Sequence, residues 1–513
     1  MSAHLPVLPI LLPFVAALLM MVVRGLAVQR GLALASSAAS LMVVLALLVE
    51  ADSGAVSVYR LGDWPAPYGI VLVVDRLAAL MVALVAGLGL AALLMALGGQ
   101  DAAGRHFHPL FQLQLAGLAG AFLTGDLFNL FVFFEILLLA SYALFMHGGL
   151  DQGEEPARLR AGLIYVILNL LGSSLFLIAL ALVYASLGTL NLADVAQLLP
   201  GVGLADAALV RAAMALMAVV FLLKAAVLPV SLWLPQVYAR APAAAAALFA
   251  VLTKLGAVML LRLAVSGWGE APVMAGLLMP WLPALALGTV ALGTAGLFAA
   301  RRLGEVAGWL VLISSGTVLF GVAFAGPKMT AALLYYLVQS TLVGGGLFLL
   351  VGHVAARRGL LGDRLVRGPA VFDREWLLPA WGVLAIGLAG LPPFSGFIGK
   401  LMLLQGIEGG WRAAWWAVLL TSGVGVLVVF SRCTGMIFWQ AGTATPDARP
   451  HEMGVAGLAP RAGLWLLVAA GPLLALAAAP VAGYAARTAA QLHGGGYGDA
   501  VLGPATVLRE GRP

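Results

Sequence analysis

Four ionisable side chains fall inside long apolar runs of this sequence. Glu135 stands in "GDLFNLFVFFEILLLASYAL", residues 125–144. Lys224, Lys254 and Lys400 stand in "ALMAVVFLLKAAVLPV", "AAALFAVLTKLGAVMLL" and "PPFSGFIGKLMLLQG". A helix from Leu127 to Leu144 would put Glu135 near the middle of a bilayer, where a charge costs roughly 2.5–3.5 kcal/mol on insertion scales. Four such charges left unpaired would cost on the order of 10–14 kcal/mol. One carboxylate cannot neutralise three ammoniums, so some of these lysines must be neutral part of the time or hydrated. Lysine sheds its proton when desolvated, whereas arginine does not. The chain has 24 arginines and only four lysines, and three of the four lie inside apolar runs. That distribution points to titration at membrane depth. The chemistry is proton transfer, with Glu135 as one station on the path.

Two of the lysines sit beside prolines. Pro229 follows Lys224, with Pro235 opening the polar "WLPQVYARAP" connection, and Pro392–Pro393 precede Lys400. A proline inside a span frees a backbone carbonyl, which is tolerated only against protein or water. Broken helices near the midplane are also how secondary transporters build ion sites. Ser173, Thr253, Gln339 and Ser340 are candidates for holding bridging waters, with Asn129, Asn169, Ser174, Ser314, Ser315, Thr317 and Thr341 as a wider set; packing between helices would explain all of them equally well. Asp75 and Asp126 begin spans, where a carboxylate caps the helix. Glu305 follows Arg301 and Arg302 and reads as a capping or pairing residue.

The elements that must carry these groups follow from composition. The 513 residues are 63% hydrophobic and 10% charged, with a mean hydropathy of +1.05. A soluble surface needs about a quarter of its residues charged. Apolar runs long enough to span recur from end to end, so the class is an all-α polytopic membrane protein. The first run, "LPVLPILLPFVAALLMMVV", lacks a basic leader and a small-residue cleavage site and reads as the first span. The single cysteine, Cys433, rules out an internal disulfide and a cysteine-based cluster. The histidines (His4, His106, His108, His147, His353, His451 and His493) fall at span ends, in loops or in the tails. No metal, nucleotide or haem motif sits where it could work, and no cofactor is expected.

About fourteen spans are expected, at 4–23, 31–49, 71–97, 109–123, 126–147, 161–187, 208–230, 242–265, 273–299, 305–325, 329–352, 376–406, 412–438 and 462–484. Residues 50–70 read as a short hairpin over one membrane face. Segments after odd-numbered spans carry sixteen arginines, Arg449 among them. Those after even-numbered spans carry six cationic residues: Arg60, Arg76, Arg211, Arg262, Lys328 and Arg412. The bias makes the odd segments cytoplasmic and both termini extracytoplasmic. The net charge of +6 thus reflects topology and calls for no nucleic-acid partner.

Four stretches carry a family resemblance: "GDWPAPYGIVLVVDRLAALM", "GAFLTGDLFNLFVFFEILLLASYAL", "LKAAVLPVSLWLPQVYARAP" and "GLPPFSGFIGKLMLL". In this order they resemble the antiporter-like subunits shared by respiratory complex I and Mrp-type multisubunit cation/proton antiporters. The "LTGDLFNLFVFFE" wording is nearest to the D-type subunits of the Mrp branch. The resemblance spans roughly residues 5–440 and implies fourteen helices, two inverted five-helix repeats, and breaks in helices seven and twelve. It divides the chain into 1–108 with the hairpin, a first repeat at 109–268, a second at 269–440, and a last helix and tail at 441–513. It makes Glu135 the helix-five glutamate, Lys224 its helix-seven partner, Lys254 the helix-eight relay and Lys400 the helix-twelve exit. Relatives often place a histidine or lysine in helix eleven; here that helix offers Gln339 and glycines, so the link from Lys254 to Lys400 needs waters or hydroxyls. The expected function is a proton-translocating subunit of a sodium/proton antiporter in a bacterial plasma membrane, working with other membrane subunits in the lipid bilayer. The open alternatives are the same module in a redox complex, either NADH:quinone oxidoreductase or a membrane-bound hydrogenase, and a membrane scaffold whose charges only dock partner helices.

Overall fold

The computed structural model describes residues 2–148, 155–268, 271–368, 371, 373–439 and 457–503. Arg449, His451 and the rest of 441–456 and 504–513 lie outside the described residues. The helices are α1 (Leu8–Val22), α2 (Leu26–Asp52), α3 (Arg76–Ala96), α4 (Phe107–Leu123), α5 (Leu127–Met146), α6 (Glu155–Leu187) and α7 (Leu192–Leu198). There follow α8 (Leu204–Lys224), α9 (Trp233–Tyr238), α10 (Ala243–Leu263), α11 (Leu282–Ala299), α12 (Leu303–Ala323) and α13 (Pro327–Arg357). The last are α14 (Arg374–Ala389), α15 (Ser395–Gln405), α16 (Arg412–Thr434), α17 (Leu458–Leu476), α18 (Ala478–His493) and α19 (Gly496–Leu502). Twelve of the described helices are long and apolar enough to cross a membrane. The 17-residue α4 and the broken pair α14–α15 are the other two expected spans.

Helix starts follow their capping residues. Asp75 accepts the Ala78 N–H at 2.8 Å, Asp126 accepts that of Asn129 at 2.8 Å, and Asn191 accepts those of Ala193 and Asp194. Each satisfies backbone donors that the first turn leaves free. The hairpin lies further along than 50–70. Helix α2 runs on to Asp52, and β1 (Ser57–Arg60) pairs antiparallel with β2 (Val71–Val74), Ser57 opposite Val74 and Arg60 opposite Val71. The valine-rich run 71–74 favours a strand, so the third span begins at Arg76 and not at 71. The ninth span likewise begins at Leu282, because Pro272, Gly276 and Pro280 keep 273–281 out of a regular helix.

Helices α10, α12 and α13 form the enclosed centre. Helix α13 packs on α10, α12, α14, α15, α17 and α18, while α10 also packs on α3 and α8. At the membrane faces the ion pairs sort by span parity. Arg30 pairs with Asp101, Arg302 with Asp363, and both Arg357 and Arg461 with Asp373. Those residues all follow or end odd-numbered spans. The other set joins Arg76 and Arg487 to Asp52, and Arg262 to Asp75. Asp75 is therefore more than a cap: its carboxylate is fully buried against the Arg262 guanidinium at 2.7 and 3.0 Å.

Candidate functional site

Lys224 is the last residue of α8, and the chain leaves the helix at Ala226, whose φ is +54°. Pro229 cannot continue the helical hydrogen-bond ladder. The Leu228 N–H freed by the break is taken up by the Thr289 hydroxyl of α11 at 3.1 Å. Lys224 is held between two close approaches. A Cβ on Gly172 of α6 would meet Leu223, and one on Gly256 of α10 would come within 2.5 Å of the Phe221 carbonyl. The Lys224 Nζ donates to Asn169 Oδ1 at 2.9 Å and lies 5.4 Å from the centre of the Phe134 ring. Glu135, the neighbour of Phe134 on α5, lies within electrostatic range but forms no ion pair with Lys224; its Oε1 is buried without a hydrogen-bond partner. In this geometry the Lys224 ammonium meets the Asn169 amide and not the Glu135 carboxylate. Ser173 is buried one turn beyond Asn169 on the same helix.

Lys254 is 1% exposed, midway along α10. Its Nζ donates to Ser314 Oγ of α12 at 2.7 Å, and Ser314 donates to Ser340 Oγ of α13 at 3.0 Å. Lys400, on α15, reaches back to the break that precedes it. Its Nζ donates to the carbonyls of Ala389 at 2.7 Å and Leu388 at 3.4 Å, which the end of α14 leaves free. Gly390 makes the turn with φ +78°, and a Cβ there would collide with the Lys400 side chain. Gln339 of α13 donates to the neighbouring Gly387 carbonyl at 3.2 Å.

A cavity joins the last two lysines. Lys254, Ser314, Tyr336, Gln339, Ser340 and Lys400 all line it, and it offers about 30 Å³ to the centres of water molecules. One water needs roughly 10–15 Å³ by that measure, so two fit. Gln339 and Ser340 both line this cavity. Thr253 does not: it donates to the Ala250 carbonyl of its own helix at 3.3 Å and lies outside this cavity. Asn169 and Ser314, which the sequence places only in the wider polar set, are the direct acceptors of two lysines. Thr289 and Tyr336 carry no signal in the sequence, being ordinary residues of apolar runs. Glu305 accepts the Arg301 backbone N–H at 2.9 Å, as a capping residue should.

A separate titratable cluster lies at the membrane surface. Asp101 accepts from Arg30 at 2.6 and 2.8 Å and contacts buried His108 at 3.0 Å. Burial alone would raise the Asp101 carboxyl, but the hydrogen bonds from His108 and Arg30 override it and hold the group down at about 2. Beside it, burial keeps His147 below its ordinary value while its ring contacts the Gln100 carbonyl at 3.0 Å. Among the described residues, no three His, Cys, Asp or Glu side chains gather as a metal site.

Comparison with known proteins gives a consistent result. Residues 124–429 match the family model described as NADH:quinone oxidoreductase/Mrp antiporter, transmembrane. The chain is 39% identical over 475 residues to the D-type subunit of a probable K+/H+ antiporter of Rhizobium meliloti, covering 85% of this chain and 87% of that one. It is 34% identical over 473 residues to the D-type subunit of a Na+/H+ antiporter of Bacillus subtilis, covering 90% and 92%. Its fold superimposes on a chain of the Mrp complex from Dietzia sp. with a TM-score of 0.87 and 28% identity, over 98% of this chain and 99% of that one. A chain of respiratory complex I from Thermus thermophilus shares the fold, with a TM-score of 0.76 at 24% identity over 96% of this chain and 100% of that one.

Proposed function

This chain belongs to the NADH:quinone oxidoreductase/Mrp antiporter transmembrane family, and from that premise we propose that it is the proton-translocating subunit of a multisubunit monovalent cation/proton antiporter. It is a transporter subunit and not an enzyme. The redox-complex alternative has fold likeness behind it, whereas the antiporter reading has relatives above 30% identity along most of the chain. The relatives' names differ in cation, K+ in one and Na+ in the other. Na+ is our first candidate here.

The observation that carries the mechanism is the nature of the lysines' acceptors. Asn169 Oδ1, Ser314 Oγ and the Ala389 carbonyl are all neutral oxygens. A lysine kept for structure at this depth would be locked to a carboxylate, because an unpaired buried charge is costly. A lysine on a neutral acceptor keeps that hydrogen bond whether it carries two protons or three. In our reading Glu135 modulates and exchanges with Lys224, Lys254 takes the proton laterally through Ser314, Ser340 and cavity waters beside Gln339, and Lys400 connects to one aqueous face. Ser173 would hold water beside Asn169; Thr253 is left without a role.

We read residues 109–268 and 269–440 as two structural repeats, each with its broken helix, flanked by 1–108 and 441–513. The parity of the surface ion pairs supports two faces, and the arginine bias orients them with both termini outside a bacterial plasma membrane. Other antiporter subunits and lipid cover the apolar flanks.

The test is cation-induced collapse of a proton gradient in everted vesicles of an antiporter-deficient host, expressing this chain with its gene neighbours. Addition of Na+ or K+ should dissipate the gradient with wild type, and Glu135→Gln should assemble yet lose the response. An assembled Glu135→Gln complex exchanging at the wild-type rate would remove the relay from its first station. No response from wild type to either cation would favour the redox-complex reading.

A further inference from the structure

Two polar atoms on one stripe of α5 are buried with no hydrogen-bond partner: Glu135 Oε1 and the Tyr142 hydroxyl. Seven residues apart, they lie on the same side of the helix, separated by about 10 Å along its axis. Helical side chains lean toward the helix N-terminus; the long Tyr142 phenol reaches back along the helix behind the shorter Glu135 side chain, which leans the same way, so the span between them is that of a short chain of waters. A buried polar group left unmade costs about 1–3 kcal/mol. Two of them on one side of the same helix mark a place that ordered water can complete.

The surroundings hold Tyr142 in place. Its ring meets the Tyr165 ring edge-on at 5.2 Å, and Tyr165 stacks on Trp233 at 5.6 Å. The Tyr165 hydroxyl is 2.7 Å from Ser141 Oγ, while Asn169 donates to the Tyr165 carbonyl and accepts from Lys224. One aromatic–hydroxyl cluster thus contacts the Lys224 site on one side and the Tyr142 ring on the other. Beyond Tyr142 helix α5 ends at Met146, and His147 and Arg158 stand at that membrane face.

Building on the proton-relay reading above, we propose that Tyr142 is a proton-relay residue for Glu135, working through bound water between the phenol and the carboxylate, with Tyr165 as its positioning residue. Along a short chain of bridging waters, the one at Glu135 gives a proton to Oε1 while the one at Tyr142 receives the phenolic proton. The phenol oxygen takes a replacement proton from water on its other side, so charge moves while Tyr142 stays neutral.

The same vesicles test this with Tyr142→Phe, which keeps the ring on Tyr165 and removes only the hydroxyl. Tyr184→Phe, on the outward face of α6, is the control. The expected result is an assembled complex with unchanged half-saturating cation concentration and an exchange rate lower by about a hundredfold, the lower end of what a positioned proton-transfer group supplies. Tyr184→Phe should match wild type. Exchange by Tyr142→Phe within twofold of wild type, alongside an inactive Glu135→Gln, overturns this proposal and leaves the antiporter reading standing. Should Tyr142→Phe fail to assemble, difluorotyrosine at position 142 decides the matter. A shifted pH–rate profile supports the relay, and an unchanged profile overturns it, because a packing role does not depend on phenol acidity.

Discussion

Each membrane-depth lysine is defined by the oxygen that receives it. Lys254 is the clearest case, since Ser314 and Ser340 continue its hydrogen bond toward a cavity shared with Lys400. Arginine preserves the charge there but not the ability to give it up. Lys254→Arg should therefore assemble and lose exchange by at least about a hundredfold, the lower end of the range ascribed to proton-transfer groups. The measurement is the initial rate of cation-driven gradient collapse. A rate near wild type would mean that Lys254 serves as a fixed charge. Ser340→Ala is a milder change, since Gln339 still lines the cavity.

At the scale of elements, the breaks after α8 and α14 are where backbone polarity is turned to use. The break after α14 frees the Ala389 and Leu388 carbonyls, and Lys400 takes both. The break after α8 frees the Leu228 N–H, and Thr289 of α11 takes it. Replacing Thr289 by the near-isosteric valine leaves that donor unpaired, at a cost of about 1–3 kcal/mol. Thr289→Val should lower the thermal unfolding midpoint of the detergent-solubilised complex, and Thr289→Ser should restore it. Equal midpoints for all three would show that water already satisfies Leu228.

Over the whole molecule, the two membrane faces are closed by ion pairs between segments distant in sequence. Arg30 of α2 and His108 of α4 converge on Asp101. The Asp101 carboxyl is held at about 2, below the ordinary 3.8 of an aspartate. A carboxyl depressed in the folded state contributes stability that is fully present above its unfolded pKa and is lost as pH falls through the folded one. The tie between α2 and α4 should therefore be constant from about pH 5 upward and weaken between about pH 4 and pH 2. Limited proteolysis of the α2–α4 segment across that range checks it: Asp101→Asn should remove the acid-dependent step. An identical acid profile for wild type and Asp101→Asn would assign the transition to other carboxylates.

Class, approximate spans and the four ionisable side chains inside them were legible in the sequence, because hydrophobic length and a lone charge inside it are local facts about the chain. The capping roles of Asp75, Asp126 and Glu305 were legible for the same reason. Boundaries set by competition between elements were not. Val71–Val74 could extend a helix or pair as a strand, and only the partner Ser57–Arg60 settles which. Nor could one-dimensional order say which oxygen each lysine meets. Asn169 lies 55 residues from Lys224, and Ser314 lies 60 from Lys254. The sequence thus determined that protonatable groups sit at membrane depth, since burying them there requires a compensating environment. The tertiary structure alone decided that this environment is made of neutral oxygens and a small cavity, because acceptors and voids arise only where separate helices meet.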